Sequence, residues 1–134
     1  ALAKQKAIKK EAEEKEKLKA KEIPIGDYPD FSNSRLLDMG LSQEDANTFV
    51  HELIGQVDDH IPQIEAAIVS EDYEQIERLT HSIKGSATNL GTGGIADVMV
   101  DFNTYCKSGT DERVIMAHLN NLKAYQEKLK SQFL

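Results

Sequence analysis

With 134 residues and 40% hydrophobic content, the chain has room for one domain with a modest core and not for several. A net charge of −7 and a single cysteine exclude an internal disulfide, an all-cysteine metal site and a general nucleic-acid binder. No apolar run approaches the roughly 20 residues of a membrane-spanning helix and no signal-peptide pattern opens the sequence, so a soluble, cytoplasmic protein is expected, free or as the cytoplasmic part of a membrane-bound one.

Charge divides the chain unevenly. Residues 1–22 carry eight lysines against five glutamates, which leaves −10 on the remainder. These are helix formers throughout, but Leu2, Ile8 and Leu18 are too sparse for a coiled-coil seam, so a charged helical linker is expected over 1–22. Two prolines and a glycine between Ile23 and Asp30 cannot continue it, which makes 23–33 a connector. Ser34 to Met39 then reads as a short capping helix closed by Gly40.

The domain proper is expected over 34–134. Ser42 and the acidic residues after it resemble a helix N-cap, and a long helix follows to about Val69 with Ala46, Phe49, Val50, Leu53, Val57, Ile61, Ile64 and Ile68 inward, kinked at Pro62. A second begins near Ser70, with Tyr73, Ile76, Leu79, Ile83, Ala87 and Leu90 in one apolar stripe. After the Gly91-Thr92-Gly93-Gly94 turn, a third carries Ile95, Val98, Met99, Phe102 and Cys106. The last starts near Asp111 with Ile115, Leu119, Leu122, Leu129 and Phe133 inward. Four amphipathic helices with short loops predict an all-α, antiparallel up-and-down four-helix bundle.

One stretch carries chemistry. At about 100° per residue, His81 falls roughly opposite the apolar stripe of the second helix, with Glu77, Lys84, Gly85 and Thr88 around it. It should therefore stand in water. Lys84, one turn on, puts an ammonium where an anion held on the imidazole would lie. Gly85 costs the helix about 1 kcal/mol relative to alanine, which points to close approach by a large, flat partner.

His81-x-x-Lys84-Gly85-Ser86 followed by Leu90-Gly91 resembles the signature of histidine-containing phosphotransfer (HPt) domains of multistep phosphorelays. The likeness runs from about residue 34 to the C-terminus. It implies that His81 is the phosphoacceptor, at Nε2, that Lys84 stabilises the phosphoryl charge, and that Gly85, Glu77, Arg78 and Thr88 meet the partner. That partner would be a response-regulator receiver domain bringing the acceptor aspartate and the Mg²⁺, so no cofactor is expected on this chain. The chain departs from the family's habit at Met99, where a small residue or cysteine is common, and at Asn103, where an acidic one is.

Other motifs fail on their spacing. His51-Glu52 opens a zinc-protease pattern, but Gly55 stands where the second histidine must be. His60 sits among Asp58 and Asp59 in what reads as a hydrated acidic patch, and His118 reads as a boundary residue hydrogen-bonded to a neighbour. The glycines at 91–94 follow a helix rather than a strand, so they are not a dinucleotide fingerprint. Three readings stay open: a monomeric phosphocarrier between receivers, as in the C-terminal module of a hybrid sensor kinase; the phosphoacceptor domain of a chemotaxis-type kinase, with kinase domains on its own polypeptide; and a helical adaptor that is never phosphorylated. The run Lys128 to Leu134 reads as a natural end, which favours the first over the second.

Overall fold

The computed structural model describes residues 28–134; the charged segment 1–22 and the first residues of the connector lie outside them. Five helices follow in order among the described residues: α1 Ser34–Asp38, α2 Gln43–Val69, α3 Tyr73–Leu90, α4 Gly94–Cys106 and α5 Glu112–Phe133. α2 packs on α3, α3 on α4, α4 on α5, and α5 back on α2, closing a ring around one core. The patterning predicts this antiparallel bundle with its short capping helix.

Local chemistry sets the helix ends. Ser42 Oγ accepts from the Asp45 N–H at 3.1 Å, Asp72 Oδ1 from the Gln75 N–H at 3.1 Å, and Asp111 Oδ1 from the Arg113 N–H at 3.0 Å. Each satisfies a donor that the first turn leaves without a partner. The Arg113 side chain and N–H also hold the Asp111 carboxyl below its usual range.

The stripes of α3, α4 and α5 pack as their periodicity requires, with Ile76, Leu79, Ile83, Ala87, Ile95, Val98, Met99, Phe102, Cys106, Ile115, Leu119, Leu122 and Leu129 all buried. On α2 one assignment is corrected. Phe49 is 43% exposed, because it lies off the centre of a stripe set by Val50, Leu53 and Val57, and Ile54 and Ala67 fill the core instead. α2 is helical through Pro62 without interruption.

The segment read as a connector also packs. Phe31 is 4% exposed in the main core, and Ser32 and Thr92 exchange backbone hydrogen bonds at 2.9 and 3.1 Å. The Tyr28 N–H donates to Tyr125 Oη at 2.8 Å, and its hydroxyl donates to Asp101. This strap crosses the α3–α4 turn so closely that a Cβ on Gly93, whose φ is +78°, would lie 2.6 Å from the Asp30 carbonyl oxygen. A Cβ on Gly91 would overlap the Ser32 carbonyl. Gly91→Ala is therefore expected to push the strap off the turn and destabilise the bundle by about 1–3 kcal/mol in urea unfolding, the usual cost of overpacking. An unchanged unfolding midpoint would show that the strap yields freely.

His118 belongs to the core rather than its boundary. It is 4% exposed and stacks on Phe102, with centroids 5.3 Å apart and planes 12° from parallel. Burial pulls its pKa below the ordinary 6.5, partly opposed by Asp101. The unfolded chain thus binds a proton that the folded one refuses, so stability should fall as pH drops below about 6.5. Melting curves between pH 7.5 and 5 should show this slope in the wild type and a shallower one in His118→Leu.

Candidate functional site

α3 is buried on one side and open on the other. Its core stripe fixes the rotation of the helix, and that rotation places His81 and Arg78 in solvent with Glu77, Lys84, Gly85 and Thr88 half-buried around them. The six residues singled out from sequence thus lie on one continuous face. A Cβ built on Gly85 meets nothing within 4 Å, so the surface beside His81 is bare. Among the described residues the ion pairs lie elsewhere: Asp59–His60, Asp111–Arg113, Glu65–Lys123, and Lys130 with Asp58 and Glu127. Lys84 takes part in none of these pairs.

Neighbouring elements brace this face at three points that sequence reasoning missed. Arg35 Nη1 of α1 donates to the Thr88 carbonyl at 2.7 Å, in the last turn of α3, where a carbonyl has no helical partner and a cation suits the dipole. Gln56 Nε2 of α2 donates to Ser82 Oγ at 3.2 Å. On the opposite flank, Thr80 and Asn103 are fully buried and bonded to each other at 3.0 Å. The Thr88 hydroxyl donates back to the Lys84 carbonyl at 2.8 Å, so its proton is held within the helix.

The other histidines are held apart from this face. His51 Nε2 lies 2.6 Å from the Phe133 carbonyl oxygen, in the α2–α5 groove. His60 Nδ1 is 3.8 Å from Asp59, and His118 is enclosed between α4 and α5. Burial pushes the Cys106 thiol up to about 12, with a Thr80 hydrogen bond opposing and Glu77 adding to the rise, so it stays protonated and unreactive. Among the described residues no group of three or more His, Cys, Asp or Glu is arranged to hold a metal ion. None of their helices is long and apolar enough to cross a membrane.

An antiparallel helical bundle that leaves a histidine exposed in mid-helix, beside a cation and a bare backbone, has the form of a phosphotransfer module. The family model of the Hpt domain matches residues 48–131, more than half the chain, and the chain belongs to that family. Its class of activity is histidine phosphotransfer in phosphorelays, and Hpt domains typically meet response-regulator receiver domains. No curated protein and no solved structure matches the chain.

Proposed function

We propose that His81 accepts a phosphoryl group at Nε2 and exchanges it with the aspartate of a receiver domain. The observation that carries this reading is an exposed imidazole on a helix whose opposite side is locked in the core, next to Lys84 and the open Gly85. An imidazole in the tautomer with its proton on Nδ1 carries an unshared pair on Nε2. In the forward step that pair forms the P–N bond as the P–O bond to the aspartyl carboxylate breaks, and the carboxylate leaves with the electrons. Transfer onward reverses the step. The chemistry needs in-line approach and nearby positive charge rather than acid–base machinery, so Lys84 serves the phosphoryl oxygens. Mg²⁺ is assigned to the receiver's acidic site, and Glu77, Arg78, Gly85 and Thr88 to its docking. We place the protein in the cytoplasm as a carrier that turns nothing over alone, with residues 1–22 as a linker to further sequence.

The test is to incubate the chain with a phosphorylated receiver and map the acid-labile phosphate by mass spectrometry. Label on His81 is expected. Absence of label with every receiver tried, and with phosphoramidate, would leave a helical adaptor. Lys84→Ala should slow transfer or shorten the lifetime of the phosphohistidine, with stability changed by no more than about 0.5 kcal/mol, as is usual at surface positions. Unaltered kinetics and lifetime in that variant would remove Lys84 from the site.

A further inference from the structure

We propose that Asn103 is a positioning residue for His81, acting through Thr80 and the Glu77 carbonyl; the proposal rests on His81 being the phosphoacceptor. Asn103 is 0% exposed on α4, and its Nδ2 donates to the Glu77 carbonyl at 3.1 Å and to Thr80 Oγ1 at 3.0 Å. Thr80 Oγ1 donates to the same carbonyl at 3.0 Å. In the helix's own pattern that oxygen also accepts the N–H of the residue four ahead, which is His81. One carbonyl therefore gathers three donors, and the turn that ends at His81 is tied to α4 from below.

Two facts argue that this network sets geometry rather than simply adding stability. Asn103 Oδ1 is buried with no hydrogen-bond partner among the described residues. An apolar residue in its place would carry no such desolvation cost, and a partly satisfied buried amide is retained where it specifies one arrangement. Its orientation is set as well, since turning the amide over would point Oδ1 at the Glu77 oxygen. The molecule supplies its own comparison in Gln126 of α5. That side chain is 1% exposed, donates to the Ile54 carbonyl at 2.9 Å, and leaves its Oε1 buried and unpaired in the same way. It braces α2 on the side away from His81.

The experiment compares Asn103→Ala, Thr80→Val and Thr80→Ser with Gln126→Ala in phosphoryl transfer between His81 and a receiver, separating the maximal rate from KM and recording each melting temperature. Asn103→Ala and Thr80→Val should lower the rate at saturating receiver by about tenfold with KM within twofold, since a small misplacement of a reacting atom acts on the chemical step. Thr80→Ser, which keeps the hydroxyl, should recover most of the rate. Gln126→Ala should lose comparable stability yet transfer within twofold of wild type. The proposal is overturned if Asn103→Ala and Thr80→Val match Gln126→Ala at saturating receiver, or if their loss lies wholly in KM. Should Asn103→Ala fail to fold, the nearly isosteric Thr80→Val decides alone. A wild-type chain that takes no label on His81 overturns the phosphoacceptor reading itself, whereas normal wild-type transfer with unaffected variants overturns only the role of Asn103.

Discussion

His81→Gln is expected to abolish phosphoryl acceptance while leaving the far-ultraviolet spectrum and melting temperature nearly unchanged. The glutamine amide has similar polarity but its nitrogen has no free pair for phosphorus. The side chain at 81 is exposed and packs against nothing in the core, so the stability change should stay within about 0.5 kcal/mol. Complete chemical loss beside near-zero structural loss is the mark of a reacting group. The remaining histidines should not compensate, because His118 is enclosed and His51 is bonded to the Phe133 carbonyl. Phosphate found on His51, His60 or His118 in either protein would show the assignment to be wrong.

Gly85 should separate docking from chemistry. Its backbone is ordinarily helical and a Cβ there would meet open space, so Gly85→Ala should stabilise the bundle by up to about 1 kcal/mol through better helix propensity and a restricted unfolded chain. Transfer should become no faster. Gly85→Arg should keep most of the fold and yet strongly impair exchange with a receiver, since its side chain would rise beside His81 into the space the partner needs. The same variant should still take phosphate from phosphoramidate, which requires no broad surface. Wild-type exchange by Gly85→Arg would mean that the glycine serves some purpose other than close approach.

The apolar half of the fold was legible because helical periodicity reports it directly. Once Ile76, Leu79, Ile83 and Ala87 point inward, the rotation of α3 is settled and His81 must face out. Polar residues inside were not legible for the same reason: Thr80, Asn103, His118 and Gln126 are all buried, and a pattern that equates polar with outward assigns each to the surface or its edge. Asn103 drew notice only as a departure from a family habit. Phe31 was missed because a lone aromatic between a proline and a helix has no period, and only tertiary contact shows that Gly91 and Gly94 make room for it. Phe49 shows the reverse error, an aromatic near the stripe taken as part of it.

The strap also lies against the end of α5. Gln132 Nε2 donates to the Phe31 carbonyl at 3.2 Å, and the Phe31 and Phe133 rings meet edge to face with centroids 6.0 Å apart. The strap and the end of α5 are therefore neighbours at one corner of the bundle, and termini that lie close together are the arrangement in which a domain can be carried as a cassette. A receiver tethered through that corner would meet His81 at an effective concentration set by tether length rather than by its bulk abundance. Exchange within one chain and exchange between chains would then differ in rate without any change in the residues that touch the phosphate.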